Sequence, residues 1–364
     1  MTPLPRDAIG GTCYAMFAFE VGFAIDLDRA QRRLASAGRA GLRADARTGA
    51  GADFEPRPLR VTASADPLEA GAFTTRPEAL VTIFDFGAIA IRFELPIEGD
   101  RESLIGIERT VTGCARLHDA ARAIVQRVAA GIGDAVQRPA LSERVEDYVV
   151  LHLLPDPVRA DAADLLPPSL AARILRGEPG QLSAQEIEEA TRCTVSYGPD
   201  DLAIIDWNAA IVVDREPQDA LEMLEFANVE LVEMRHLDDR LDAALEEAFA
   251  LTSSALRGRR LLAIETGRHV PRIAELRVDA TALFESVDNA LKLFGDRWLA
   301  RLHDAATRRL HIDDYERSVL RKIDTLSSIY GTMRDRQAQL RAEILEWIVI
   351  TLIAVELVAL VFRH

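Results

Sequence analysis

Lysine is nearly absent from this chain: of its 43 Lys and Arg residues only Lys292 and Lys322 are lysine. Neither follows a glycine-rich run, so the Gly-x4-Gly-Lys-Ser/Thr loop that cradles nucleotide phosphates is missing, and P-loop NTPase chemistry with it. Cysteine is equally sparse. Cys13, Cys114 and Cys193 stand alone without Cys-x-x-Cys spacing, which leaves neither a disulfide framework nor a thiolate zinc site and points to a reducing, intracellular setting. No Gly-x-Ser-x-Gly elbow supplies a hydrolase nucleophile. Met1 to Asp7 holds prolines and charge but no apolar core of signal-peptide length. Positive charge is also short, 43 cations against 58 acids for a net of -15, so a nucleic-acid role would have to rest on a local patch.

The chain as a whole, 364 residues, 49% apolar and 28% charged, has ordinary globular composition. A β-prone run at Thr12 to Phe19 precedes a short helix opened by Asp26, and Gly38 to Ala52 reads as a mobile loop. Strands are expected at Leu59 to Ser64, Leu80 to Phe86 and Ala88 to Leu95, the last two turning at Gly87. A helix with Ile107, Val111, Leu117, Ile124 and Val128 on one face follows, then a strand at Val145 to Leu153. This order predicts an α+β fold with an N-terminal ferredoxin-like βαββαβ-type layer, then a mostly α-helical C-terminal half with a long terminal helix. The expected divisions are a head over 1–154, a proline-rich joint with short helices and a β-hairpin over 155–215, a helical body over 216–312, a terminal stalk over 313–343 and a transmembrane helix over 344–362.

Leu345 to Phe362 is the most apolar window in the chain. Its eighteen residues would rise roughly 27 Å as a helix, close to the thickness of a hydrocarbon core. Glu346, Trp347 and Arg363 suit the membrane interface, and Glu356 would be an intramembrane polar group, either protonated or paired across chains. Arg334, Arg336 and Arg341 precede the span, which by the positive-inside tendency leaves the bulk of the chain in the cytoplasm. Apolar positions from Leu320 to Trp347 fit a gapped coiled-coil pattern, so a homo-oligomer is expected.

The run Leu345-Glu346-Trp347-Ile348-Val349-Ile350-Thr351-Leu352-Ile353 with Glu356, the Phe84-Asp85-Phe86-Gly87 strand pair and the Asp206-Trp207 hairpin together resemble the family named "required for meiotic nuclear division". The resemblance implies a largely uncharacterised membrane-attached protein with no established catalytic residues; one eukaryotic branch supports organelle translation as an anchor or organiser. The arginine-for-lysine bias suits a GC-rich bacterial genome, so a bacterial cytoplasmic membrane is the expected location.

Several constellations carry candidate chemistry. Asp206, Trp207 and Asn208 put a carboxylate, an indole and an amide at one turn, either as an interaction site or as ordinary turn chemistry. Phe84-Asp85-Phe86-Gly87 resembles the kinase metal-binding tripeptide but has no Gly-rich loop, lysine strand or His-Arg-Asp partner. Glu233, His236, Asp238 and Asp239 could offer oxygen and nitrogen ligands to a divalent metal, although a solvated helix face explains them as well. Asp214 to Glu247 holds twelve acids and three arginines, a net of -9, and Arg257 to Arg277 a net of +4. The two segments are expected to neutralise each other; otherwise Arg257, Arg259, Arg260, Arg268 and Arg272 form a patch for anionic lipid or RNA. The reading that results is a membrane-tethered, non-enzymatic scaffold without cofactors, anchoring a cytoplasmic protein partner. A metal-dependent hydrolase or transferase using Glu233, His236, Asp238 and Asp239 is the alternative.

Overall fold

A computed structural model of the chain describes residues 8–36, 42–44, 56–155, 162–256, 274, 276–285 and 297–362. The fold is mixed α+β, with a large mixed sheet in the N-terminal part and a mostly helical C-terminal half. Nine strands make the sheet: β1 (Ala8–Glu20), β2 (Leu42–Ala44), β3 (Leu59–Ser64), β4 (Glu78–Ile83), β5 (Ala88–Asp100), β6 (Glu146–Leu153), β7 (Cys193–Val195), β8 (Leu202–Ile205) and β9 (Ala209–Val213). Their order is β7-β8-β9-β6-β1-β5-β4-β3-β2, and only the β9–β6 pair is parallel. That pair needs a crossover, which the connection between Leu153 and Ala209 supplies with the helices Pro168–Leu175 and Ala184–Ala190.

The sheet is sandwiched, and its sequence shows why. On β1 the odd residues Cys13, Ala15, Phe17 and Phe19 point to one face and Met16 and Ala18 to the other, and all six are buried. Both faces being covered, the strands read as nearly continuous apolar runs. The odd face packs under α1 (Leu27–Ser36) and α3 (Ala115–Ile132), which follows the short α2 (Ile107–Thr112). Buried Leu117, Ala121, Ile124, Val125, Val128 and Ile132 form one stripe of α3 at helical period. The backbone N–H of Arg29 donates to Asp26 Oδ1 at 2.9 Å, so Asp26 caps α1 as its position suggests. Part of the stretch read as a loop, Leu42–Ala44, is instead the edge strand β2, recruited by β3 despite weak periodicity of its own.

Beyond β6 come α4 (Pro168–Leu175), α5 (Ala184–Ala190, capped by Ser183), α6 (Gln218–Leu256), α7 (Arg297–Arg309) and α8 (Ile312–Phe362). A further helical stretch covers 276–285. The chain divides into two compact units, Met1–His236 with Ala282–Tyr315 and Leu237–Thr281 with Glu316–His364. The second unit has its own ion pairs: Lys322 Nζ lies 2.7 Å from Asp238 and 2.6 Å from Asp242, and Arg240 Nη1 donates to Asp279 at 3.0 Å.

The transmembrane expectation is overturned. Among the described residues no helix is long and apolar enough to cross a membrane. Between Glu346 and Glu356 the apolar run is nine residues, a rise of about 14 Å against the ~30 Å of a hydrocarbon core. The membrane-interface roles of Glu346 and Trp347, the intramembrane role of Glu356 and the bilayer as a partner go with it; Arg363 lies outside the described residues. What α8 does show is an apolar surface in the open, with Leu345, Trp347, Ile348, Val349, Ile350, Leu352, Ile353 and Val355 each 48–69% exposed.

The β4–β5 hairpin turns where the sequence suggests, at Gly87, whose φ is +103°. Its carbonyl accepts from the Val21 N–H at 3.0 Å, and a Cβ there would land on the carbonyl oxygen of Gly22. Gly87→Ala should therefore cost at least about 1–3 kcal/mol, read as a lowered urea midpoint with an unchanged slope.

Candidate functional site

The densest charged cluster forms around Asp206, at the turn between β8 and β9. The side chain is 0% exposed. Asp206 Oδ1 accepts from Arg309 Nε at 2.9 Å, from Arg309 Nη2 in a second, shorter contact, and from the backbone N–H of Trp207 at 2.9 Å. Arg176 Nε lies 3.1 Å from Asp206 Oδ2. The Asp206 carbonyl accepts from the Tyr148 hydroxyl at 2.7 Å, so β6 holds the turn from beneath. Burial pushes the Tyr148 hydroxyl well up, and the Asp206 charge adds to that.

Acids on α5 complete the cage. Arg309 Nη1 donates to Glu189 Oε1 at 2.7 Å, and Arg176 lies 3.0 Å from Glu186. The hydrogen bond from Arg309 holds the Glu189 carboxyl below its ordinary range. One buried carboxylate thus joins α4 through Arg176, α7 through Arg309 and the β8–β9 turn. Trp207 stands on top of the cage, 58% exposed, with the Arg176 guanidinium 5.6 Å from its ring centre. The carboxylates of the cage lie against guanidiniums, although Asp206 Oδ2 and Arg176 Nε, 3.1 Å apart, make no hydrogen bond, and what the cage offers outward is an indole face.

A second polar layer lies on the even face of the sheet, beneath the first half of α6. From Ala220 to Met234 this helix is buried on every side, and its acids are buried too. Glu222 Oε2 lies 2.7 Å from Arg60 Nη2, Glu225 Oε2 lies 3.5 Å from Arg92 Nη1, and Glu230 Oε2 is 3.1 Å from His303 Nε2. Asn228 Nδ2 donates to the Glu146 carbonyl, and Arg235 Nη1 to Glu146 Oε2 at 2.6 Å. Sequence reasoning missed this layer. Its signal was there in Glu222 and Glu225, three apart among the apolar Leu221, Met223, Leu224, Phe226 and Ala227, and in Arg60 and Arg92 inside β-strands.

The residues singled out from the sequence scatter among these structures. Asp206, Trp207 and Asn208 do sit together, with Asp206 inside and Trp207 outside. Glu233 is buried, not solvated. His236 Nδ1 lies 2.7 Å from Glu20 Oε2, a residue of β1, while Asp238 accepts from Ser318 and pairs with Lys322 in the second unit. Among the described residues no group of three or more His, Cys, Asp or Glu side chains is arranged to hold a metal. Arg257, Arg259, Arg260, Arg268 and Arg272 lie outside the described residues. The acidic stretch of α6 meets Arg60, Arg92 and His303 within the first unit and Lys322 within the second.

Comparison with known proteins gives a family without a described activity. Residues 10–220 match the family described as "Uncharacterized protein MJ0711, N-terminal domain". The chain is 23% identical over 192 residues to the uncharacterized protein MJ0711 of Methanocaldococcus jannaschii, an alignment covering 52% of this chain and 58% of that one. The chain thus spans less than two thirds of the curated relative it matches. No solved structure matches. These matches overturn the resemblance to "required for meiotic nuclear division", for which nothing comparable is found. The relative is archaeal, which removes the ground for a bacterial source and a bacterial membrane location.

Asp206→Ala leaves Arg309 and Arg176 buried without their shared anion and should cost about 3–5 kcal/mol in urea unfolding. Glu108, on α2, is buried, and burial raises its carboxyl; the Thr112 hydroxyl and Arg109 oppose this while Asp147 and Asp206 add to it. The native state then binds that proton more tightly than the unfolded chain. Stability from this group is fully present below the unfolded value of about 4.3 and is lost as pH rises toward the higher folded value. Glu108→Gln should accordingly melt higher than the parent at pH 7, with the gain gone below about pH 4.

Proposed function

This chain belongs to the family of the MJ0711 N-terminal domain, and we propose that it is a non-enzymatic scaffold that self-associates through the exposed end of α8 and offers the Trp207 turn to a protein partner. The observation that carries this reading is the run of eight large apolar side chains between Leu345 and Val355, each about half exposed. Monomeric proteins rarely leave contiguous apolar patches above a few hundred Å² in water. Eight such side chains offer on the order of 800 Å², about what one partner contributes to a standard stable interface. The occupant argued for is a second copy, because two identical apolar helix ends satisfy each other without any further component.

The Trp207 turn fits the second role. An exposed indole braced by a guanidinium, on a turn fixed by a buried carboxylate, loses little freedom when it docks, and such aromatic anchors dominate protein interfaces. The engagement of His236 with Glu20 and of Asp238 with Lys322 favours the scaffold over a metal-dependent hydrolase or transferase, whose ligands would have to abandon those partners. The β6-β1-β5-β4 order, with helices after β1 and β5, supports reading the centre of the sheet as a ferredoxin-like layer extended at both ends.

Light scattering on the purified full chain tests the reading. A dimer or larger species is expected at micromolar concentration, with Leu352→Asp raising the dissociation constant at least tenfold while the urea midpoint of the sheet-bearing unit is unchanged. A monomeric parent chain would overturn the self-association.

A further inference from the structure

The end of α8 is apolar on every side, and a helix of that kind is ordinarily surrounded. Among its described residues, Val319, Ile323, Leu326 and Tyr330 are buried, whereas from Arg334 to Val355 every described side chain is exposed. At about 100° per residue, Trp347, Ile350 and Ile353 lie a third to half a turn away from Leu345, Ile348, Leu352 and Val355. One partner helix covers only one of these sides.

Leu345, Ile348, Leu352 and Val355 are spaced by alternating threes and fours, the heptad seam of a coiled coil. In heptad terms Leu345 and Leu352 stand at a, and Ile348 and Val355 at d. Leucine at a with β-branched residues at d shifts coiled coils from two strands toward three or four, whereas the reverse assignment favours two. The flanks of the seam differ. On one side is Val349, at e. On the other is an open apolar groove lined by Trp347, Ile348, Thr351 and Leu352. Thr351, at g, turns its hydroxyl back to the Trp347 carbonyl at 2.7 Å, so its polar atom is already satisfied within the helix.

We propose that four copies of this chain join by the ends of α8 in a parallel four-stranded coiled coil, with Leu345, Ile348, Leu352 and Val355 as its core layers. The proposal rests on the self-association of this helix end inferred above and gives it a number and a direction. Two strands would bury the seam and leave Trp347, Ile350 and Ile353 in water. In four strands each helix also meets a neighbour on either flank, so Val349 of one chain enters the groove beside Trp347 and Thr351 of the next, and Ile353, at b, packs along the rim. Ile350, at f, then faces outward. Parallel strands are required because they set the e flank of one helix against the g flank of its neighbour, whereas antiparallel ones would set groove against groove. Such a knob-to-groove contact between unlike flanks closes as a ring.

Sedimentation equilibrium of the full chain at micromolar concentration counts the copies, and four are expected. The combined variant Leu345→Ile, Ile348→Leu, Leu352→Ile and Val355→Leu exchanges the branching at a and d while keeping the seam apolar, at positions exposed in the single chain. It should halve the assembly to a dimer with circular dichroism unchanged. A parent of two or three chains would overturn the four-stranded coil and leave the self-association standing, whereas a monomeric parent would overturn both. A tetramer undiminished by the exchange would place the contact outside this seam and overturn the proposal as well.

Discussion

The acids of α6 must find cations in a place where water cannot reach them, and much of the first unit is arranged around that requirement. Glu222, Glu225 and Glu230 sit on a helix buried on all sides, next to Leu221, Leu224, Phe226 and Val229. An unmatched carboxylate there would cost several kcal/mol, whereas a matched one is close to neutral against an apolar residue. The matching partners come from separate places: Arg60 from β3, Arg92 from β5, His303 from α7. Each pair fixes the rotation and height of α6 against an element that is distant in sequence. An apolar helix of the same size could slide or rotate on the sheet; this one has a single register. Arg60 Nε and Arg92 Nε and Nη1 are donors of this layer that are buried without a hydrogen-bond acceptor.

The Asp206 cage applies the same principle at one edge of the sheet. The β8–β9 hairpin reaches the sheet only through the parallel β9–β6 pair, so the chain must travel out through α4 and α5 and return. Asp206 then ties the returning turn to the end of α4 and to α7, whose arginines also hold the α5 acids, with Tyr148 bonding the backbone from below. Asp206 is shut away from solvent and its charge is matched by Arg309 and Arg176, which leaves the cage little chemistry to perform. Its outward consequence is mechanical: Trp207 is held rigid in solvent.

Buried ionic contacts and exposed apolar ones divide between different parts of the chain. The sheet-bearing unit hides charge and sets it against opposite charge internally. The end of α8 does the opposite, leaving large aliphatic side chains in water, and that inversion is the physical ground for assigning assembly to α8 and partner recognition to the turn. The nine-residue apolar run between Glu346 and Glu356 is too short for a bilayer and long enough for a helix–helix contact of two to three turns.

Local patterning was enough to determine the α+β character, the β4–β5 hairpin at Gly87, the Asp26 cap, the stripe of α3 and the extent of α8, because each depends on residues within a few positions of one another. It was also enough to pick out the Asp206–Trp207 turn, although not to tell which of its side chains faces inward. Apolarity over a window misled at Leu345 to Phe362, since hydropathy averages across the two glutamates that divide the run. Net charge misled on α6, because counting acids along a helix does not say which face is buried or where the cations come from. The pairing of Glu222 with Arg60, Glu225 with Arg92, Asp206 with Arg176 and Arg309, and His236 with Glu20 links residues tens to hundreds of positions apart. Only strand order and helix packing decide such contacts, since charge in a one-dimensional sequence carries no address, and it is the closing of the sheet that brings these opposite charges out of water together.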